Sequence, residues 1–232
     1  DDVKVIYGDT DSLFVHVTSK FEDADKIGNS IAENLNNYWN KRIKKEFNLE
    51  SHLEIEYEKY YSKLVLTSMR GREGGAKKRY AGLISKDKIE FVGMEFVRSD
   101  WTKLAKNFQY ELYFKIFNEE DYENWIRNFV NELLLGKFNS DLIYKKRLRK
   151  SSEAYTKTQP PHVKAARMIN QKRGTVNYFI TKRGPIPTEL NPKDFDYQHY
   201  IEKQIKPITD SVLMLFGKSF HSIVNAKQLD LF

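Results

Sequence analysis

Two aspartates separated by one residue are the strongest candidates for catalytic chemistry in this chain. Asp9 and Asp11 lie in the segment Tyr7–Ser12, which reads Y-G-D-T-D-S and connects two β-rich runs. Carboxylates so close together repel one another unless a cation neutralises them, and hard oxygen ligands of this kind suit Mg²⁺. Two such ions, about 3.5–4 Å apart, activate an attacking hydroxyl and stabilise the leaving oxygen in phosphoryl transfer. The segment therefore predicts catalytic, metal-binding aspartates, with an ordinary hairpin turn as the alternative.

The residues around this turn predict the elements that must hold it. Residues 3–7 and 13–17 are β-rich, and turn-forming residues separate them, so we expect a hairpin. Residues 27–47 carry apolar side chains at helical spacing, which predicts an amphipathic helix. Further strands are expected at residues 53–58, 61–68, 79–84 and 88–92. The order ββαββββ indicates an antiparallel sheet with a helix packed on it.

The second half of the chain has a different pattern. Ser99 or Asp100 is expected to cap a helix, and Gly136 is expected to end the next one. Helices are predicted at residues 100–117, 121–135 and 197–216, with a short helix from Pro161 and a strand at 174–181 before a proline-rich loop. Pro207 must bend the last helix or begin a new one. The fold class is therefore α+β, with a mainly helical second part that contains a small β element.

Basic residues are concentrated in two places, and the formal net charge is +7. The first is the element Lys77-Lys78-Arg79-Tyr80, and the second comprises Lys145, Lys146, Arg147 and Arg149. Clustered cations suit the phosphate backbone of a nucleic acid, which binds without sequence information and with strong salt dependence. A solvated charged face is the alternative for either cluster.

The segment Tyr7–Ser12 resembles motif C of the family B DNA polymerases, which is the signature of their palm domain. The resemblance implies template-directed nucleotidyl transfer with two Mg²⁺ ions in the complete enzyme. It implies that Asp11 binds both ions and that Asp9 lies beside them. Glu56 is similar to an acid of the palm near the metals, with a solvated strand face as the alternative.

The resemblance extends through most of the chain in order. Lys77–Tyr80 is similar to the K-K-R-Y element that grips the primer–template duplex, and Gly93–Trp101 resembles the junction between palm and thumb. Pro161–Ala166 resembles a thumb element, and the bacterial members of the family are the most similar. The implied domains are 1–98 as the C-terminal half of the palm, 99–225 as the thumb and 226–232 as a tail. The implied partners are primer–template DNA and deoxynucleoside triphosphates, in the bacterial cytoplasm at the nucleoid.

Several parts of the family pattern do not occur in these 232 residues. They are the other catalytic aspartate, in motif A, the fingers with their nucleotide-binding lysine, and the proofreading exonuclease. We therefore expect the chain to be an excised part of a longer enzyme. We also expect it to bind metal weakly or not at all, and to be inactive on its own.

The last residues resemble the motif by which bacterial proteins bind the sliding clamp. Gln228 would form hydrogen bonds at the rim of a pocket, while Leu229, Leu231 and Phe232 would fill it. Tethering of this kind raises the effective concentration of a polymerase at the primer end. The alternative is a terminus that folds back on its own domain.

Other functional classes are alternatives to a polymerase. A non-catalytic module that binds only duplex and clamp is one, and a nucleotide cyclase or a reverse transcriptase is another. A cyclase needs neither the basic thumb nor the tail, and reverse transcriptases usually carry adjacent aspartates where Thr10 intervenes here. The sequence has no cysteine, which excludes disulfides and thiolate–metal sites, and no apolar run of about 18 residues, so no membrane partner is expected.

Overall fold

The computed structural model describes residues 3–18, 24–68 and 75–225. Helices and antiparallel sheets both contribute, which confirms the predicted α+β class. The strands are β1 Val3–Asp9, β2 Ser12–Val17, β3 Lys63–Ser68, β4 Gly75–Ser85, β5 Lys88–Val92, β6 Tyr144–Arg147, β7 Thr175–Thr181 and β8 Gly184–Pro187. The helices are α1 Ala24–Phe47, α2 Lys103–Phe117, α3 Tyr122–Leu134, α4 Pro161–Met168, α5 Tyr197–Tyr200, α6 Lys206–Leu213 and α7 Phe220–Val224. None of the described helices is long and apolar enough to cross a membrane.

The described strands form three sheets. β1 pairs with β2, β3-β4-β5 form a second sheet in that order, and β6-β7-β8 form a third with β7 in the centre. The chain divides into two compact units, the first comprising Asp1–Leu64 and Gly82–Glu90, the second Val65–Ala81 and Phe91–Phe232. The predicted limits of palm, thumb and tail are functional assignments and stay predictions.

The predicted strand at residues 53–58 is wrong. Ile55 and Tyr57 are partly buried, but Leu53 is exposed, and none of these residues belongs to a β-ladder in the described part of the chain. The backbone of Ile55 bonds instead to the Asn36 side chain of α1, which donates to its carbonyl and accepts from its amide, both at 2.8 Å. The Tyr57 hydroxyl donates to Asp25 of the same helix at 2.7 Å. Side chains of α1 therefore take the place of a neighbouring strand.

Aromatic packing between α2 and α3 forms much of the core of the second unit. Leu104, Phe108 and Leu112 lie on one side of α2 and are almost or fully buried. The ring of Phe108 lies 5.1 Å from Trp125 and 4.9 Å from Phe129, both in α3. Burial of side chains this large stabilises the pair of helices by roughly 1.5–3 kcal/mol for each one.

The N-cap of α2 is Thr102, so the predicted cap at Ser99 or Asp100 is wrong. The Thr102 hydroxyl accepts from the backbone amide three residues on and donates to the buried side chain of Gln204 at 2.5 Å. The carboxylate of Asp100 is already occupied, because it accepts two hydrogen bonds from Arg98. Asp100 therefore serves as the partner of Arg98, and the helix begins after Thr102.

The last long helix is interrupted at Pro207, as predicted. Helix α5 passes into a π-helical turn, Ile201–Ile205, before α6 begins with the proline in its first turn. Proline lacks the amide hydrogen that an uninterrupted helix requires, and a π-turn absorbs the mismatch. The Tyr200 hydroxyl accepts from the Ile180 amide at 2.8 Å, which fixes this helix to the central strand β7.

The proline-rich loop expected after residue 181 is partly a strand. Residues Gly184–Pro187 form β8 and pair with β7, with Ile180 opposite Pro185. Proline is tolerated here because β8 lies at the edge of its sheet, where one side of the strand needs no partner.

Candidate functional site

The aspartate turn closes a tight β-hairpin, as the sequence predicts. Asp9 of β1 pairs with Ser12 of β2, which leaves Thr10 and Asp11 as a two-residue connection. The Asp11 amide donates to the Asp9 carbonyl, and the Ser12 hydroxyl donates to the same oxygen at 3.3 Å. Asp9 is half-buried, whereas Asp11 is exposed. The two carboxylates therefore differ in access to solvent.

Thr10 has an unusual backbone conformation. Its φ is +36°, in the left-handed region that a β-branched residue rarely adopts and that costs roughly 1–3 kcal/mol. Its hydroxyl donates to the Asp9 carboxylate at 3.1 Å. Local strain that the surrounding structure maintains is typical of functional turns, so this outlier supports a functional role for the hairpin.

Aromatic side chains anchor this hairpin within the first unit. The Phe14 ring on β2 packs edge-on to Tyr7 at 5.3 Å and stacks parallel to Tyr61 at 6.3 Å. The Tyr61 hydroxyl donates to Glu90 at 2.5 Å, and Lys59 donates to the same carboxylate at 3.1 Å. The turn consequently rests on side chains that are themselves held by charge-assisted hydrogen bonds.

The aspartates supply few metal ligands by themselves. Among residues 3–18, 24–68 and 75–225, no group of three or more His, Cys, Asp or Glu side chains is placed to hold a metal ion. Glu56 is exposed and belongs to no such group with Asp9 and Asp11. Mg²⁺ keeps several waters and takes only one or two protein carboxylates beside substrate phosphates, so this pair of donors suits it.

The basic element Lys77–Tyr80 lies within β4. The Lys77 side chain lies outside the described side chains, Lys78 is exposed, and Arg79 and Tyr80 are half-buried. Lys78 has a φ of +57°, which is unusual inside a strand and typical of a β-bulge. The backbone of the basic element therefore departs from regular strand geometry at Lys78, and this departure is called the Lys78 bulge below.

Gly93, immediately after β5, makes a close backbone crossing with this bulge. Its φ is +63°, and a Cβ atom there would lie 1.9 Å from the Lys78 carbonyl oxygen. Only glycine fits such an approach, because both the backbone conformation and the backbone contact exclude a side chain.

Replacing this glycine is expected to destabilise the fold. Gly93→Ala should lower the free energy of unfolding by roughly 2–4 kcal/mol, because it combines a strained φ with a backbone clash. Gly217→Ala is the matched control, since Gly217 has a φ of +68° but open space around it. Denaturant titration of the chain measures both, and equal losses would contradict a role for the crossing.

The basic cluster of the second half is divided by β6 into two faces. Lys145 and Arg147 are exposed on β6, Arg149 is exposed just after the strand, and none of the three forms an ion pair with a described residue. Lys146 points the other way and donates to Asp100 at 3.3 Å. Three of the four predicted cations are therefore exposed without an ion-pair partner among the described residues, and the fourth is paired with Asp100.

The tail lies outside the described residues. The predicted clamp-binding side chains of residues 228–232 therefore have no structural account and stay predictions.

Comparison with known proteins identifies the family. Residues 1–184 match the family described as DNA polymerase family B. The chain belongs to DNA polymerase family B. The resemblance predicted from Tyr7–Ser12 and Lys77–Tyr80 is thereby confirmed at the level of the family.

DNA polymerases from a bacterium, an archaeon and a plant are similar to this chain. DNA polymerase II of Escherichia coli K12 is 38% identical over 98% of the chain. DNA polymerase 2 of Aeropyrum pernix is 30% identical over 93%, and the DNA polymerase delta catalytic subunit of Oryza sativa subsp. japonica is 32% identical over 88%. The chain spans 31%, 26% and 20% of the lengths of these relatives, respectively.

Sequence reasoning missed the acidic partners of two of the predicted DNA-binding cations. Arg79 pairs with Glu95 at 2.8 Å, and Lys146 pairs with Asp100. Hydrogen bonds from Arg98 and then Lys146 hold the pKa of Asp100 below its usual range. Burial alone would raise the pKa of Glu95, but hydrogen bonds from Arg79 and Gln109 outweigh it and lower the pKa. No sequence signal links residues so far apart in the chain.

Proposed function

We propose that this chain provides the aspartate-bearing part of the palm and the thumb of a DNA-directed DNA polymerase. The observation that carries the proposal is the strained hairpin at Asp9–Ser12 in a chain that belongs to family B. An enzyme similar to the bacterial relative would act in the cytoplasm at the nucleoid. The full-length protein in which these residues would supply palm and thumb is termed the complete polymerase.

The two aspartates would have different roles in nucleotidyl transfer. Asp11 is exposed, so its carboxylate is free to bind cations and reach the triphosphate of an incoming deoxynucleotide. Asp9 is half-buried and accepts from Thr10, so its carboxylate would be the weaker of the two ligands. Two Mg²⁺ ions, when bound, would supply activation of the primer hydroxyl and neutralisation of the phosphates. Glu56 is a third candidate ligand that would have to be brought closer in the complete polymerase.

The basic residues would hold the primer–template duplex by its backbone. Lys77, Lys78 and Tyr80 would grip the duplex near the primer end, and Lys145, Arg147 and Arg149 would bind phosphates along the product. A polymerase must accept every sequence, and phosphate contacts provide affinity without reading bases. Lys146, paired with Asp100, would contribute mainly by supporting β6.

A combined binding and activity assay of the isolated chain tests this proposal. We expect duplex affinity to fall roughly 10²–10³-fold between about 50 and 200 mM salt, as for about five phosphate contacts. We expect no primer extension with Mg²⁺ and all four nucleotides, because motif A and the fingers are missing from the 232 residues. Salt-independent binding would contradict the phosphate grip, and incorporation by the pure chain would contradict its inactivity.

A non-catalytic module that binds duplex and clamp is the second candidate. Such a module would use the same basic residues but would need neither Asp9 nor Asp11. The complete polymerase distinguishes the two, because only an enzyme loses incorporation when Asp11 is changed. For the tail, we propose that Gln228, Leu229, Leu231 and Phe232 bind the bacterial sliding clamp.

A further inference from the structure

Arg79 belongs to the basic element, yet its guanidinium group already has partners in the protein. One terminal nitrogen donates to a Glu95 carboxylate oxygen at 2.8 Å, and the other donates to the Gly93 carbonyl at 3.4 Å. The Glu95 side chain is only 12% exposed, and that of Arg79 is 29% exposed. An arginine committed to a buried carboxylate is poorly placed to bind a phosphate as well, since leaving it would strand a buried charge.

The second oxygen of Glu95 continues the connection into the first helix of the second half. It accepts from the Gln109 amide of α2 at 2.9 Å, and the Gln109 oxygen accepts from the Phe96 backbone amide at 2.6 Å. Gln109 is fully buried, so its side-chain amide has no access to water and depends on these two partners. An unbroken set of hydrogen bonds therefore links β4 to α2 through the residues that come after β5.

The same residues also contact the backbone of the basic element Lys77–Tyr80. The Arg79 contact to the Gly93 carbonyl lies beside the crossing at which Gly93 meets the Lys78 carbonyl. The Arg79 carbonyl in turn accepts from the buried Thr67 hydroxyl of β3 at 3.1 Å. The left-handed conformation of Lys78 is therefore fixed from both sides by neighbours of Arg79.

We propose that Arg79 is a positioning residue that holds the Lys78 bulge and connects it to α2 through Glu95 and Gln109. The connection makes the strand that grips the duplex and the first thumb helix move together. Arg79 itself then makes no phosphate contact, which replaces its predicted role in DNA binding. This inference rests on the proposed function, because it presumes that Lys78 binds the duplex.

Salt dependence of duplex affinity in the complete polymerase separates positioning from direct contact. A lost phosphate contact lowers the salt slope by about one, whereas a misplaced element weakens binding without that change. We expect Lys78→Asn, which tolerates the left-handed conformation but lacks the charge, to lower the slope by about one. We expect Arg79→Gln and Glu95→Gln each to weaken affinity about tenfold at an unchanged slope, and the double variant to be no worse than either.

Two further variants sharpen the test. Arg79→Lys keeps the charge but lacks the separate nitrogens through which arginine bonds Glu95 and Gly93. A positioning role therefore predicts weakened duplex binding, whereas a phosphate contact predicts nearly normal binding. Arg183→Gln, which breaks an exposed ion pair with Asp194, is the control for loss of an arginine–carboxylate pair and should leave affinity nearly unchanged. Thermal unfolding of each variant confirms that the folded protein is being titrated.

The outcomes distinguish the inference from the function on which it rests. If Arg79→Gln lowers the slope by about one while Glu95→Gln binds normally, Arg79 contacts phosphate and the inference is wrong, although the duplex grip stands. If Lys78→Asn changes neither affinity nor slope, the grip itself is wrong and the inference fails with it. Equal losses of duplex affinity in Arg79→Gln and Glu95→Gln, with no further loss in the double variant and an unchanged salt slope, support both the inference and the duplex grip.

Discussion

In the complete polymerase, Asp11→Asn is expected to reduce nucleotide incorporation by roughly 10³-fold or more, which corresponds to at least about 4 kcal/mol of transition-state stabilisation. The amide keeps the size of the side chain but cannot neutralise a divalent cation. Because Asp11 is exposed at the tip of the hairpin, the substitution should leave the fold intact. Single-turnover primer extension with saturating nucleotide measures the effect.

The hairpin between β4 and β5 offers a matched control for this substitution. Asp87 is also an exposed aspartate in a two-residue turn, between Ser85 and Lys88, so Asp87→Asn should leave incorporation unchanged. Asp9→Asn should have a smaller effect than Asp11→Asn. Loss of duplex affinity in Asp11→Asn, with normal chemistry once DNA is bound, would assign the turn to DNA binding instead of catalysis.

Deletion of residues 228–232 is expected to weaken clamp binding at least about 100-fold, because the apolar anchors of a short docking peptide supply most of its affinity. Duplex affinity should be unchanged, since the basic faces of β4 and β6 remain. Titration of the complete polymerase against the bacterial sliding clamp, and separately against primer–template DNA, measures the two effects.

Single substitutions within the tail supply the control. Leu231→Ala and Phe232→Ala should reproduce most of the loss, whereas Asp230→Ala, between the anchors, should bind nearly normally. Unchanged clamp affinity after the deletion would contradict the proposed role of the tail, whereas the proposed roles of palm and thumb would stand.

Elements specified by neighbouring residues were predicted well from the sequence. The hairpin around Asp9 and Asp11 follows from apolar strands on either side of turn-forming residues, and the interruption at Pro207 follows from its missing amide hydrogen. The strand expected at residues 53–58 fails because the partner of Ile55 is the Asn36 side chain. Periodicity reports which face of a segment is buried, and it does not report what the backbone binds.

The candidate site was predictable in its chemistry and only partly in its geometry. Residue types and spacing indicate the aspartate turn and both basic clusters. The same pattern gives no sign that Arg79 is held by Glu95 or that Lys146 is held by Asp100, because these partners lie 16 and 46 residues apart. Tertiary contacts decide which charges of a cluster remain available for a ligand.

Counting bound cations tests the central claim most directly. In the complete polymerase with primer–template DNA and a non-reactive nucleotide, electron paramagnetic resonance of Mn²⁺ should detect about two ions per complex. Asp11→Asn should lose at least one of them while DNA affinity stays normal. An unchanged ion count in that variant would contradict the role of the Tyr7–Ser12 turn as the metal-binding element.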